Sequence, residues 1–194
     1  MEKLRIGCVV MAAGSAARFG RNKLAAEVDG KTLLRRALEA VPSSRFSRVA
    51  VVTQYPEAAA LAREFAFTPV ENTHPDWGIS HTISLGLDAL GDCDAALFLV
   101  SDQPLLEQAS VAELVDFYCL HPSHIAALGH GGVRGNPCLF PARFFPELRA
   151  LREDHGGSAV IRRHEDALLL YEVPARQLTD VDTRQALDRL IRQP

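Results

Sequence analysis

A loop rich in small and basic residues follows the first apolar segment of this 194-residue chain. Small residues come first and cations later, in the order Ala12, Ala13, Gly14, Ser15, Arg18 and Lys23. Small side chains let backbone N–H groups approach phosphate oxygens, and cations offset the charge of a triphosphate. The loop has neither the GK[ST] ending of a Walker A motif nor a GxGxxG fingerprint. It therefore predicts either a phosphate-binding loop or a tight turn with a solvated basic face.

Two aspartates are candidates for binding a divalent metal ion. Asp102 follows the strongest apolar run of the chain, so we expect its carboxylate at the rim of a sheet. Asp182 lies between an apolar segment and the last helical pattern, where a loop can return to the same rim. Mg²⁺ prefers hard oxygen ligands and commonly takes one or two carboxylates plus substrate phosphates. Each aspartate also has a structural interpretation, because Asp102 could cap the turn before Pro104 and Asp182 could be the N-cap of the last helix.

The histidines and cysteines do not predict a metal site or a disulfide framework. His121, His124 and His130 lie in a polar stretch without one-face helical spacing, which favours solvated loop histidines over metal ligands. The four cysteines lie far apart and form no CxxC pair, which is typical of buried reduced thiols.

Composition excludes several classes of partner. A formal net charge of −3, with Lys and Arg scattered along the chain, argues against a nucleic-acid partner. No apolar run approaches the roughly 20 residues that span a bilayer, so no membrane partner is expected. The N-terminal segment resembles a buried strand more than a signal peptide. These features together predict a soluble protein of the cytoplasm.

The elements that must position these residues alternate between strand and helix. Strands are predicted at 5–11, 48–53, 67–71, 95–100, 125–128, 138–140 and 167–173. Helices are predicted at 31–41, from 56, at 80–90, at 110–119, from 143, from 158 and after 183. This alternation is typical of an α/β three-layer sandwich with a mostly parallel sheet, in which ligands bind beyond the carboxyl ends of the strands. With 47% hydrophobic residues, the chain predicts a single domain over 1–194.

Local signals indicate where two helices and one turn begin. Ser80 is a candidate N-cap of the third helix, and Ser110 with Glu113 matches a capping box at the fourth. The segment GHGGVRGNP at 129–137 has the turn chemistry of a flexible hairpin tip or a site loop.

Five motifs, taken in chain order, resemble those of the MobA-like nucleotidyltransferases. They are AAGSAARFGRNK, SDQP, GNPCLF, DHGG and DVDT, and they cover nearly the whole chain. The AAG start is especially similar to the molybdenum cofactor cytidylyltransferase branch, since guanylyltransferase relatives usually show AGG. The resemblance implies a Rossmann-like nucleotide-diphospho-sugar transferase fold in which the first loop holds the triphosphate. It also implies that Asp102 and Asp182 bind Mg²⁺.

The same resemblance assigns further residues to the two substrates. The segment from Asn72 to Ser80 matches a region bordering the nucleotide or the acceptor pocket, and a surface loop anchored by Trp77 is the alternative. Ser80 is taken as a nucleotide contact. Two other motifs match regions used around the acceptor, which gives Gly135, Asn136, Pro137, Asp154 and Gly156 as acceptor-binding residues. Asn136 stands where relatives often have His.

The implied reaction is transfer of CMP from CTP to the phosphate of Mo-molybdopterin, with release of pyrophosphate. Lys23, Arg18 and Asp102 are the predicted catalytic residues, and a molybdenum hydroxylase is a further expected partner. Guanylyl transfer to the same cofactor and nucleotidyl transfer to a sugar or polyol phosphate remain as enzymatic alternatives. A non-catalytic carrier or insertion chaperone for the pterin cofactor is the alternative from another class.

Overall fold

The structure, a computed structural model, describes residues 4–14 and 23–192. Ser15 and Arg18 lie outside the described residues, so their assignment to triphosphate binding stays a prediction. The assignment of residues 1–194 to one domain also stays a prediction.

The strands and helices alternate along most of the chain. The strands are β1 (Ile6–Ala12), β2 (Glu27–Val28), β3 (Lys31–Thr32), β4 (Arg48–Thr53), β5 (Thr68–Glu71), β6 (Ala95–Val100), β7 (Ile125–His130), β8 (Val133–Pro141) and β9 (Leu168–Glu172). The helices are α1 (Leu33–Glu39), α2 (Pro56–Glu64), α3 (Ile79–Leu90), α4 (Gln108–Leu120), α5 (Phe145–Arg149), α6 (Gly157–Arg163) and α7 (Arg184–Arg192).

Seven of these strands form one sheet in the order β5-β4-β1-β6-β8-β7-β9. Strand β1 pairs in parallel with β4 and β6, and β4 pairs in parallel with β5. Strand β8 is antiparallel to its neighbours β6 and β7, whereas β7 and β9 are parallel. The mostly parallel sheet predicted from the sequence is confirmed, and it places the ends of β1, β4 and β6 side by side.

Helices cover both faces of the sheet. As a result, successive residues of the central strands are buried in two different hydrophobic clusters. Cys8 and Val10 of β1 pack in a cluster with residues of α1 and α4. Val9 packs in a second cluster with residues of α3, α5 and α6. Near-complete burial on both faces explains why β1 reads as an almost continuous apolar run. The predicted α/β/α sandwich is confirmed.

Two predicted helix starts are wrong. Helix α3 has Gly78 as its N-cap, with φ of 85°, and Ser80 lies inside the helix with a buried side chain. Helix α4 begins at Gln108, after an N-cap Glu107 that makes no side-chain capping bond, and Ser110 is buried within the helix. In both cases packing of the serine against the core overrides its preference for a cap.

The glycine-rich segment forms a hairpin between β7 and β8, as its turn chemistry predicts. Gly131 and Gly132 lie at the tip with φ of 58° and 79°, a conformation that glycine adopts without a steric penalty. Their N–H groups donate to the carboxylate of Glu172 on β9, at 2.8 and 3.2 Å. Strand β8 begins at Val133, five residues before the predicted strand, because pairing with β7 extends it. None of the helices in the described ranges is long and apolar enough to cross a membrane.

Candidate active site

A cleft of about 510 Å³ opens beyond the carboxyl ends of β1 and β6. Ala13 and Gly14 line it from the loop after β1, and Ser101 and Asp102 line it from the loop after β6. The N-terminal turn of α3 forms a further wall. The position agrees with the expectation that ligands of a parallel α/β sheet bind at this edge.

Lys23 joins the two predicted metal-binding aspartates at the mouth of the cleft. Its Nζ lies 2.8 Å from Asp102 Oδ2 and 3.1 Å from Asp182 Oδ1. The lysine and Asp102 side chains are 16% and 23% exposed, whereas that of Asp182 is 61% exposed. Residues far apart in sequence therefore converge on one cation, although their catalytic and metal-binding roles remain a proposal.

Backbone and side-chain bonds tie the loop of Asp182 to the end of β6. The backbone carbonyl of Asp102 accepts a hydrogen bond from the N–H of Val181 at 2.8 Å. The adjacent Ser101 donates its hydroxyl to the Met11 carbonyl at 2.7 Å, which joins β6 to β1 at the same edge. These bonds hold the segments that carry the two carboxylates close together.

The structural alternatives for the two aspartates do not hold. Helix α7 is capped by Thr183, whose Oγ1 accepts from the N–H of Ala186 at 3.1 Å, so Asp182 is not the N-cap. The Asp102 carboxylate accepts from Lys23 and, within the described chain, from no backbone N–H of the turn before Pro104. Both carboxylates are directed to the cleft cation instead.

Among the residues that the structure describes, three aspartates lie around Lys23 at this edge of the sheet. Asp180 lies beside the aspartate pair, and its pKa is raised by burial first and then by the charge of Asp102, against a lowering by its hydrogen bond from Gln103. Burial lowers the pKa of Lys23, but hydrogen bonds and charge from Asp102 and Asp182 outweigh that effect and raise it overall. The lysine is therefore charged at neutral pH and stabilises the carboxylates around it.

This arrangement fits a divalent metal ion. Asp102 and Asp182 already share one cation, and carboxylate oxygens are the ligands that Mg²⁺ prefers. Among the residues that the structure describes, no group of three or more His, Cys, Asp and Glu side chains has the geometry of a metal site. The two aspartates would therefore hold the ion together with substrate phosphate oxygens, as is common for Mg²⁺.

The start of the first loop is held open toward the cleft. Ala12 and Ala13 are buried at the end of β1, and Gly14 has open space where a side chain would project. Two residues that follow β4, to which the sequence analysis assigned no role, hold this turn in place. Gln54 Nε2 donates to the Ala13 carbonyl at 2.6 Å, and the Tyr55 hydroxyl donates to the Gly14 carbonyl at 3.2 Å. The sequence signal that could have identified them is their position directly after β4, the strand that pairs with β1.

Ser80 lies behind the wall of the cleft. Its backbone N–H donates to the Glu153 carbonyl at 3.1 Å, while Gly78, Ile79 and Thr82 line the cleft. The structure therefore brings the predicted segment to the site but not the serine side chain, whose contact with the nucleotide stays a prediction.

Four of the five predicted acceptor residues line neighbouring cavities. Asp154 lines the main cleft, and Gly156 lines an adjoining apolar pocket of about 180 Å³. Asn136 lines this pocket and also a third cavity, which Gly135 borders. Pro137 is buried in β8 and follows a cis peptide bond.

Sequence reasoning missed Arg134. This arginine lines both the apolar pocket and the third cavity, next to Asn136. A cation within a glycine-rich hairpin was the signal, but only the pairing of β7 with β8 shows that the hairpin borders these two cavities.

The chain matches one family model over most of its length and is similar to several known proteins. A family model described as the MobA-like NTP transferase domain matches residues 8–168. The chain is similar to the purine catabolism protein PucB of Bacillus subtilis strain 168, at 26% identity over 198 residues and 95% of each chain. It is also similar to 2-C-methyl-D-erythritol 4-phosphate cytidylyltransferase of Dehalococcoides mccartyi, at 29% identity over 130 residues, which are 64% of this chain and 57% of that relative.

Solved structures share the fold. The crystal structure of Rv0371c from Mycobacterium tuberculosis H37Rv gives a TM-score of 0.80 at 21% identity, covering 98% of this chain and 99% of that chain. A structure of Rv0371c in complex with manganese gives a TM-score of 0.72 at 21% identity, covering 98% and 100% of the two chains. The Rossmann-like fold implied by the motifs is thereby confirmed.

Proposed function

The chain belongs to the MobA-like NTP transferase family and is a nucleotidyltransferase, and from that premise we propose that it transfers CMP from CTP to the phosphate of Mo-molybdopterin. The observation that carries this proposal is the convergence of Asp102, Asp182 and Lys23 beside the loop after β1. Two carboxylates and a cation at a phosphate-binding edge suit a reaction between two phosphorylated molecules. The AAG start of the loop and the similarity to a cytidylyltransferase favour CTP.

The reaction is an in-line displacement at phosphorus. A terminal phosphate oxygen of the acceptor forms a bond to the α-phosphorus of CTP, and the bond from the α-phosphorus to the oxygen bridging to the β-phosphorus breaks. The electron pair leaves with pyrophosphate. Because the attacking phosphate is already ionised at neutral pH, no general base is required.

The residues of the site contribute charge and position. Lys23 and Arg18 would stabilise the negative charge that develops on the departing pyrophosphate. Asp102 and Asp182 would hold Mg²⁺, which when bound neutralises the repulsion between the two anionic reactants. Holding the reactants in line would supply a further large part of the acceleration.

A non-catalytic pterin carrier is the rival proposal. A carrier of an anionic ligand gains nothing from the negative charges of Asp102 and Asp182, whereas a metal-dependent transferase uses them to hold the ion. The product of the transferase would pass to a molybdenum hydroxylase in the cytoplasm.

The test mixes the purified protein with Mg²⁺, Mo-molybdopterin and one of CTP, GTP, UTP or ATP, and measures pyrophosphate release. We expect the fastest release with CTP, since a base pocket rejects bases that leave its polar groups unpaired. A preference for GTP would instead assign guanylyl transfer. Faster turnover with 2-C-methyl-D-erythritol 4-phosphate as acceptor would assign sugar-phosphate transfer, and binding of the cofactor without pyrophosphate release would assign a carrier.

Asp102→Asn tests the metal assignment in the same assay. We expect turnover to fall at least about a hundredfold with little change in thermal unfolding, because the carboxylate charge is lost but the side-chain volume is kept. Asp116→Asn is the matched control, since Asp116 is an exposed aspartate on α4 that pairs with Arg45. Full activity of Asp102→Asn would refute the assignment.

A further inference from the structure

A cavity of about 310 Å³, here called the hairpin basin, lies between the β7–β8 hairpin and the loops before α7. The residues that matter for its chemistry are Gln103, Arg134, Asn136, Leu178 and Asp180. Gln103 directly follows Asp102, so the basin begins beside the aspartate pair. The basin lies on the side of β6 that faces β8, whereas the loop after β1 lies on the side of β6 that faces β1. A ligand in the basin would therefore approach the aspartate pair from the side opposite the nucleotide.

Gln103 has a buried oxygen that lacks a hydrogen-bond donor. The residue is 3% exposed, and its Nε2 donates to Asp180 Oδ1 at 2.9 Å and to the Leu178 carbonyl at 3.4 Å. The carboxylate of Asp180 fixes this orientation of the amide, because the flipped amide would place two oxygens against each other. In the part of the chain that the structure describes, Oε1 has no partner. Buried carbonyl oxygens are nearly always satisfied, so this oxygen is an acceptor beside the basin that still lacks a donor.

Arg134 supplies donors at the other side of the basin. Its Nη1 donates two long hydrogen bonds, one to the Gly135 carbonyl at 3.4 Å and one to Cys138 Sγ at 3.5 Å. Within the described ranges it forms no ion pair with a carboxylate. Two further nitrogens of the planar guanidinium therefore remain for a ligand oxygen or ring nitrogen.

The basin also has walls suited to a flat ring. Ala175 and Leu178 are apolar, and Arg134 connects the basin to the apolar pocket that contains Phe98 and Phe140. A polyol would place hydroxyl groups against these apolar walls, which costs free energy. An aromatic heterocycle can lie against them and use its polar edge for hydrogen bonds.

We propose that the hairpin basin binds the non-phosphate head of the acceptor and selects a heterocycle with an edge that combines N–H donors and a carbonyl oxygen. The N–H groups donate to Gln103 Oε1 and the Asp180 carboxylate, and the carbonyl oxygen accepts from Arg134. This inference rests on the proposed nucleotidyl transfer, since it assigns the basin to the acceptor of that reaction. It makes Gln103 and Arg134 specificity-determining residues.

The first test measures binding of pterin, the bare bicyclic ring without a phosphate group, by its fluorescence. Wild type, Arg134→Gln, Gln103→Met and the control Arg63→Gln are compared, where Arg63 is an exposed arginine on α2 near the opposite edge of the sheet. We expect Arg63→Gln to bind like wild type and each basin variant to bind at least about tenfold more weakly, as the loss of one good hydrogen bond predicts. Thermal unfolding of each variant checks that the fold is retained, and Arg134→Gln leaves the bonds of Gln103 intact. Absence of pterin binding to wild type, or unchanged binding by Arg134→Gln, would overturn the proposal.

The second test separates this inference from the proposed function. In the pyrophosphate assay, Arg134→Gln should raise the KM for Mo-molybdopterin about tenfold and leave the KM for CTP unchanged. A raised KM for CTP instead would assign the basin to the nucleotide and overturn the inference. Pterin binding that depends on Arg134, in a protein that releases no pyrophosphate, would reject the proposed reaction and retain the basin as a heterocycle site.

Discussion

Lys23 stabilises two carboxylates that would otherwise repel each other at the mouth of the cleft. Among the residues that the structure describes, Lys23 is the cation that contacts both Asp102 and Asp182. Asp180 adds a third negative charge nearby. Within the described part of the chain, the positive charge of Lys23 alone does not neutralise these three acids. The site therefore has affinity for additional positive charge, which is the electrostatic basis for proposing a divalent ion.

Lys23→Met tests both roles of the lysine. We expect turnover in the pyrophosphate assay to fall about a hundredfold or more, because charge on the leaving group loses a stabilising partner. The loss of unfolding free energy should stay below about 2 kcal/mol, since Asp182 is largely exposed and solvent screens its interaction with the lysine. Urea denaturation without Mg²⁺ measures the second quantity.

Lys31→Met is the matched control, because Lys31 forms an exposed ion pair with Glu39 away from the cleft. It should keep wild-type turnover. Wild-type turnover in Lys23→Met would remove this residue from the catalytic machinery.

At the scale of elements, the start of α3 depends on a close approach that only glycine permits. Gly78 has φ of 85°, and a Cβ at this position would lie 2.3 Å from the backbone carbon and oxygen of Glu153. The contact holds the segment containing Asp154 against the wall of the cleft. The same turn therefore begins the helix and shapes the site.

Gly78→Ala should destabilise the protein more than Gly91→Ala. Both glycines have positive φ, so each substitution carries a conformational cost of about 1 kcal/mol. Gly91 has open space where the Cβ would project, whereas Gly78 meets backbone, so the clash adds at least about 1 kcal/mol at Gly78 alone. Urea denaturation of the two variants measures the difference. Equal losses of stability would contradict the close approach.

At the scale of the whole molecule, the cleft joins loops from both ends of the chain. Residues after β1 and β6 and before α7 all line it, so a ligand that bridges them binds the folded state and not the unfolded chain. Binding of this kind raises the stability of the fold by mass action.

CTP with Mg²⁺ should therefore raise the melting temperature of the wild-type protein. When CTP is present at about a hundred times its dissociation constant, the free energy of unfolding rises by about 2.7 kcal/mol. This gain corresponds to a rise in melting temperature of roughly 5–10 °C for a chain of this size. Asp102→Asn should lose the part of the shift that requires Mg²⁺, while Asp116→Asn should retain it. Differential scanning calorimetry with and without EDTA measures both. An identical Mg²⁺-dependent shift in Asp102→Asn would contradict the metal assignment.

The amino-acid sequence by itself determined the layer architecture and the main features of the cleft. Apolar periodicity is a local property, so it identified the buried strands and most of the helices. The small residues after β1 and the aspartate after β6 were recognisable because parallel strands direct such residues to one edge. The glycine-rich segment 129–137 likewise predicted a hairpin tip or a site loop.

Only the tertiary structure decided how these parts meet. The bridge from Lys23 to Asp102 and Asp182, and the basin beside Gln103 and Arg134, depend on strand order and on pairing between distant segments. The N-caps expected at Ser80 and Ser110 failed for the same reason, since burial of each serine against the core outweighed its local preference. Short-range propensities fix elements, whereas distances between side chains follow from how the whole chain packs.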